Sequence, residues 1–379
     1  MGQTFKLSMF GARQSTVVFC IVLVLAIGIS GAAAQQATVD YSSLAKEANF
    51  VARDFLFVTG EKLQEVRINY ATWGEPKRDE TGKITNAVLL CHGTLGSWRN
   101  FTNPLWAANM LGPGQPLDIT KYFVIASDTI GCGKSSKPSD GLGMKFPKYR
   151  LDDVVHAQYR LVTEALGVQK LFAVIGISYG GRQTWQWGVQ YPESVRAIVP
   201  LVSSPFPNAG RRGMQDFLPA EIITSDPSWN KGAYSEQPRN LSLAYMVFVM
   251  PLEGAGHLWE AAPTRERSFA YLPEIAKSQA PALDANDFIY QMRVNDGFDA
   301  YRQFDRLKAR VLMVNMAGDD MVPTELGHAE KVLEKLGPKA DYFLVKETSG
   351  YGHRAVFRTV AIYGRKIKEF LQKTADYKE

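Results

Sequence analysis

Ser178 sits in Gly176-Ile177-Ser178-Tyr179-Gly180-Gly181, with a glycine two residues to either side. A hydroxyl becomes a nucleophile when a base takes its proton and an acid holds that base in the right tautomer. The chain has five histidines, so the search for the base is short. His92 directly follows the apolar run 87–91, His156 and His328 fall within helical patterns, and His257 lies in a stretch without strand rhythm. Only His353 stands on a glycine-rich loop, Ser349-Gly350-Tyr351-Gly352-His353, after the last strand-like run. Upstream, Asp319 and Asp320 stand side by side on the loop after the preceding strand, and the residues alone leave both as partners for the base. Serine, acid and histidine in that chain order suit acyl transfer through a covalent serine intermediate.

Such a serine has to be presented by its neighbours. Residues 171–175 (LFAVI) form a short apolar run that reads as a buried strand, and residues 179–191 continue at helical spacing. Strand, tight turn and helix are the setting of a nucleophile elbow. Gly176 and Gly180 remove side chains that a strained turn cannot house. The helix N-terminus that follows offers its dipole and the Tyr179 N–H to a developing oxyanion.

The remaining elements are read in order. Residues 54–74 alternate apolar and polar around Thr59-Gly60-Glu61, a hairpin signal. Runs 87–91 and 122–127 are further buried strands, and 151–166 is an amphipathic helix. Residues 197–202 form a strand despite Pro200, which cannot donate to a ladder. Gly133-Lys134-Ser135 imitates a phosphate-binding loop, but Asp128 occupies its required first glycine and turn residues 137–141 replace its helix. Nucleotide binding is thereby excluded. Residues 205–295, rich in Pro, Met and aromatics, break the strand–helix rhythm and read as a helical lid inserted over the sheet. The sheet resumes at 310–316 and 341–345, with a helix at 325–336 between them and a last helix ending near Lys373.

The organisation expected is a signal peptide at 1–34, a first core part at 35–204, the lid at 205–295 and a second core part at 296–379. Lys6 and Arg13 precede the apolar run 17–29 and then Ser30-Gly31-Ala32-Ala33-Ala34, so cleavage is expected before Gln35 and the body in the periplasm or outside the cell. At 1.5 Å per residue that run spans roughly 20 Å, short of a hydrocarbon core of about 30 Å, so no stable membrane span is expected after cleavage. The formal charge of +5 falls to about +3 without this segment, too little to argue for nucleic acid. Cleavage also removes Cys20, and Cys91 with Cys132 make no disulfide framework. No metal or other cofactor is implied, the partner expected is a small ester or acyl donor, and a homodimer is left open.

These residues resemble the homoserine O-acetyltransferase-like branch of the α/β-hydrolases from about residue 50 to the C-terminus. The marks are Met110-Leu111-Gly112-Pro113-Gly114-Gln115-Pro116-Leu117-Asp118, the lid segments Asp226-Pro227-Ser228-Trp229-Asn230 and Leu283-Asp284-Ala285-Asn286-Asp287-Phe288, and Tyr351-Gly352-His353. The resemblance implies an α/β-hydrolase fold: a mostly parallel central sheet, helices on both faces and a helical lid. It implies a triad of Ser178, Asp319 and His353, with Asp319 chosen because the acid of this fold stands four residues before the proline, here Pro323. It also implies an oxyanion hole from the N–H groups of Tyr179 and Thr94. The chain departs from the family where Ala220 falls at the offset of the arginine that holds a homoserine carboxylate, with Arg182, Arg211 and Arg212 as substitutes. Ester hydrolysis is therefore the main expectation, and acyl transfer from acetyl-CoA to homoserine the alternative.

Overall fold

The computed structural model describes residues 39–376, so the expected signal peptide lies outside the described residues. Strands β1 (Lys46–Leu56) and β2 (Lys62–Trp73) form the hairpin, antiparallel with Lys46 opposite Thr72 and Leu56 opposite Lys62. It opens at Lys46 rather than at residue 54, with Ala48, Phe50 and Ala52 on its inner face and Glu47, Asn49, Val51 and Arg53 exposed on the other. Then come β3 (Ala87–Cys91), β4 (Phe123–Ser127), β5 (Leu171–Ile177), β6 (Val195–Leu201), β7 (Arg310–Met316) and β8 (Ala340–Val345). They make one eight-stranded sheet in the order β1-β2-β4-β3-β5-β6-β7-β8, parallel from β4 to β8. Every residue of β3, β4 and β5 is buried, which is why these strands read as unbroken apolar runs. Pro200 pairs with Gly176 on β5, while on the β7 side the ladder skips from Ile198 opposite Val311 to Leu201 opposite Val314. The skip falls where a proline has no N–H to give.

Helices α1 (Pro104–Met110), α2 (Leu151–Arg160) and α3 (Tyr179–Gln190) precede the lid. The lid itself carries α4 (Arg211–Thr224), α5 (Leu241–Val249), α6 (Ala255–Ala261), α7 (Arg265–Gln279) and α8 (Ala285–Arg293), and α9 (His328–Leu336) and α10 (Val360–Asp376) follow it. Trp185 and Trp187 of α3, Val155 of α2 and Val332 of α9 fill the core on one face of the sheet. Trp106 of α1 with Tyr363 and Phe370 of α10 fill the other. The lid has an apolar core of its own, built from Ala220, Ile223, Leu241, Phe248, Phe288 and Met292. Two helix bounds depart from the sequence reading. The helix expected over 151–166 loosens into a π-type turn at Leu161–Ala165, and α9 starts only at His328 because Gly327 adopts a left-handed φ of 63°.

Helix α3 runs so close to β3 that a Cβ on Gly180 would lie 1.9 Å from the Cys91 carbonyl oxygen. A strand carbonyl inside a buried ladder cannot move aside. Gly180→Ala is expected to cost about 3 kcal/mol or more and to lower Tm by roughly 5–10 °C. Thermal unfolding within about 2 °C of wild type would contradict this account of the packing.

Candidate active site

Ser178 stands between β5 and α3 with φ 58° and ψ −113°, a conformation that a residue with a Cβ adopts only where its surroundings hold it. Its N–H donates to the Leu201 carbonyl of β6 at 2.9 Å, which fixes the turn to the sheet. The side chain then meets His353, whose Nε2 is 2.8 Å from Ser178 Oγ. His353 Nδ1 is 2.8 Å from Asp319 Oδ2, and both residues are buried. Asp319 Oδ1 accepts from the N–H groups of Met321 (2.8 Å) and Val322 (3.3 Å), so the carboxylate is held from both sides. With Nδ1–H donating to the carboxylate, the Nε2 lone pair faces the serine hydroxyl, the tautomer a general base requires. Asp320 points outward, half exposed, with its carboxylate 3.3 Å from Arg211.

Tyr179 is the first residue of α3, so its N–H has no partner in the helix's own ladder. The turn Gly93–Gly96 passes over the serine: a Cβ on Gly93 would touch Ser178 Cβ at 3.8 Å. Thr94 lines the cavity there, and among the described residues its N–H has no acceptor. His92 anchors this turn. Its Nε2 accepts from Thr129 N–H at 3.1 Å, so Nδ1 carries the proton and donates to the Gly93 carbonyl at 2.7 Å. Burial holds the His92 pKa below the ordinary imidazole value and keeps the ring neutral.

The imitation phosphate loop is bent onto Asp128, whose Oδ2 accepts from Lys134 N–H and whose Oδ1 accepts from Trp98 N–H, both at 2.8 Å. His156 bonds Tyr191, His257 bonds Tyr271 and His328 bonds Ser204, all away from the serine. Cys91 and Cys132 are free and buried, and burial pushes the Cys132 thiol up to about 12.

The lid rests directly on the loop that carries His353. A Cβ on Gly254 would lie 1.9 Å from the Gly350 carbonyl oxygen, His257 N–H donates to the same carbonyl at 3.1 Å, and the His257 ring stacks on Tyr351. Buried Glu253 places a carboxylate oxygen 2.8 Å from Arg354 Nη1. Between lid and sheet, Ser178 and His353 open into a cavity of about 710 Å³, walled by Tyr245, Phe248 and Leu283 on the lid side.

Ala220 does not reach this cavity. It packs in the lid's core and lines a separate cavity of about 530 Å³, because α4 turns that face toward α5 and α8. The three substitute arginines are also placed elsewhere. Arg182 is buried with its guanidinium 5.1 Å from the Phe298 ring, and burial, then Arg212, brings its pKa down to about 9. Arg211 pairs with Asp320, and Arg212 with Asp216 at 2.7 Å. The arginines that do line the serine's cavity are Arg354 and Arg358, which sequence reasoning missed. Their signal was proximity in sequence: they stand one and five residues after His353.

The model of the α/β-hydrolase fold family matches residues 86–327, and the chain belongs to that family. Within it the chain falls in the homoserine O-acetyltransferase-like branch. It is 30% identical over 353 residues to a homoserine O-acetyltransferase of Pasteurella multocida, a match covering 84% of this chain and 96% of that enzyme. A probable acyltransferase of Methanothermobacter thermautotrophicus is also 30% identical, over 80% of this chain and 91% of its own length. Among solved structures, a homoserine O-acetyltransferase from Bacillus anthracis shares the fold with a TM-score of 0.76 at 24% identity, covering 86% of this chain and 98% of that one. Esterase E22 does so with 0.75 at 22%, covering 86% and 100%.

The two neighbouring acids separate cleanly in an experiment. Asp319→Asn is expected to lower kcat by about 10⁴-fold through the wrong histidine tautomer, while Asp320→Asn stays within about threefold, since it touches only solvent and Arg211. Steady-state kinetics on both variants decide, and a larger loss for Asp320→Asn would contradict the assignment.

Proposed function

We propose that this chain is an O-acyltransferase with a serine nucleophile, which passes a small acyl group through an acyl-enzyme to a hydroxyl acceptor. The observation that carries the reading is the unbroken line from Asp319 through His353 to Ser178 Oγ, with 2.8 Å at each step, opening into a lidded cavity. Its support as a transferase is the similarity to acyltransferases along nearly their whole length. Hydrolysis was favoured by Ala220, but that residue lies in the lid core and has no bearing on what the serine's cavity holds.

Ser178 Oγ attacks the acyl carbon as its proton passes to His353 Nε2. The N–H groups of Tyr179 and Thr94 receive the charge on the carbonyl oxygen. Collapse of the tetrahedral species breaks the bond to the leaving group, which takes the proton from His353. The acceptor hydroxyl then gives His353 its proton and attacks the acyl carbon, and the bond to Ser178 Oγ breaks as His353 returns that proton to it. A thioester or an activated ester serves equally as donor, so the reading does not require acetyl-CoA. Handing the same acyl-enzyme to water is ester hydrolysis. That second reading is favoured by an adjoining cavity of about 850 Å³, which meets the first at Tyr245 and Arg354 and gives solvent a way in.

We also propose that the body works outside the cytoplasm after cleavage before Gln35, on the strength of the basic, apolar and small-residue pattern at the N-terminus. N-terminal sequencing of protein from the native host is expected to start near Gln35, and an intact Met1 in the cytosol would contradict this.

Ser178→Ala is expected to leave at most about a thousandth of wild-type turnover. With 4-nitrophenyl acetate as donor and homoserine present, wild type is expected to form O-acetylhomoserine faster than acetate. Acetate alone, at every acceptor concentration, would replace the transferase with the hydrolase.

A further inference from the structure

His353 is bracketed by two consecutive residues of the lid. Gly352, directly before it, packs on Gly254: a Cβ on Gly352 would lie 2.8 Å from Gly254 Cα and 3.0 Å from its N. Arg354, directly after it, places Nη1 2.8 Å from a carboxylate oxygen of Glu253. The acid loop joins the same junction. That Cβ on Gly352 would also lie 3.1 Å from the carbonyl oxygen of Gly318, the residue before Asp319. Lid, histidine loop and acid loop thus meet at three glycines, one step from both His353 and Asp319.

The contact is between backbones. A Cβ on Gly254 would lie 2.4 Å from Gly352 N and 2.6 Å from the Tyr351 carbonyl carbon, inside the 3.0 Å that real Cβ atoms keep. A crowded side chain turns to another rotamer, whereas two backbones seated on each other move only together. Gly254 has φ −80° and ψ 146°, which any residue adopts, so a glycine is needed there for the close approach alone. Glu253 is buried, and among the described residues Arg354 is its one ion-pair partner. The tolerance at the histidine is narrow, with 2.8 Å to Asp319 on one nitrogen and 2.8 Å to Ser178 on the other. A displacement of about 1 Å in such a line costs about 10²-fold in rate.

We infer that Glu253 and Gly254 are positioning residues of the acyl-transfer site, which set where His353 stands between Asp319 and Ser178. The inference rests on the acyl-transfer reading and gives the lid a part in it beyond closing the cavity. Gly254 seats the lid on the backbone before the histidine, and Glu253 holds the side chain after it. Substituting Gly350 or Gly352 would also disturb a positive φ, of 69° and 56°, so Gly254 is the position that isolates the contact.

The test uses Gly254→Ala, Glu253→Ala and Glu253→Gln, with Ile223→Ala as a control that loosens the lid's own core without touching the bracket. Each variant is read by turnover of 4-nitrophenyl acetate and by NMR of the proton between His353 Nδ1 and Asp319, which resonates far downfield of the amide protons. Gly254→Ala is expected to lower kcat about 10²-fold with KM within about threefold, and to lose the downfield signal. Glu253→Ala is expected to lower kcat about tenfold, the worth of one charged hydrogen bond. Glu253→Gln keeps an oxygen for Arg354 and is expected to restore most of that loss. Ile223→Ala is expected to lower Tm, yet to keep the signal and a kcat within about threefold of wild type. Wild-type kcat and signal in Gly254→Ala, or an equal loss of both in Ile223→Ala, would overturn the bracket. If Gly254→Ala does not fold, the Glu253 pair decides: a loss that Glu253→Gln repairs supports the bracket, and wild-type kcat in Glu253→Ala overturns it. Absence of an acyl-enzyme in wild type would instead count against the acyl-transfer reading, while the downfield signal still reports on His353.

Discussion

At Ser178 the backbone turns with φ 58° and ψ −113°, a conformation that costs a residue with a side chain about 1–3 kcal/mol. The surrounding fold supplies the restraint. Leu201 of β6 receives the Ser178 N–H, Cys91 of β3 blocks any side chain at Gly180, and Trp185 and Trp187 bury α3 against the sheet. Released from those three contacts, the serine would relax and its hydroxyl would leave the line to His353. The all-apolar interior of β3, β4 and β5 therefore acts on the chemistry as well as on stability: it makes the strand ends immobile enough to hold a strained turn.

The same logic extends to the base and the lid. The lid packs on the turn that carries His353, through Gly254 against Gly350, His257 on Tyr351 and Glu253 beside Arg354. Placement of the lid and placement of the histidine are one packing problem. Glu253 is buried and Arg354 half-exposed, so removing Arg354 would leave the Glu253 carboxylate stranded without its partner beside the site. Charge at the cavity is thus arranged in depth, with Glu253 behind the wall and Arg354 at its surface.

Much of this was legible in the sequence because it is local. A buried strand, a glycine-flanked serine and a helix announce themselves within twenty residues, and His353 was singled out by its place on a loop after a strand. Choosing Asp319 over its neighbour took the fold's habit of spacing, since both side chains look alike until Met321 and Val322 donate to one of them. What failed was the long-range part. Ala220 was weighed by its offset from Asp226, but an offset does not say which way a helix face points, and packing of α4 on α5 and α8 turned it inward. Arg354 and Arg358 went unnoticed because Arg354 meets Glu253 from a distant part of the chain, and because both line a cavity whose walls come from six separate segments. The late start of α9 was a smaller miss, set by the left-handed backbone at Gly327.

The central claim is that the strained hydroxyl of Ser178, facing His353, is the group that becomes acylated. Acid-quenched protein taken from the first turnovers with 4-nitrophenyl acetate, digested and read by mass spectrometry, tests it most directly. The account predicts one acetyl group on the peptide carrying Ser178, formed in wild type and lost when acceptor is supplied. Acetylation on any other residue, or turnover with no acylated peptide at all, would contradict it.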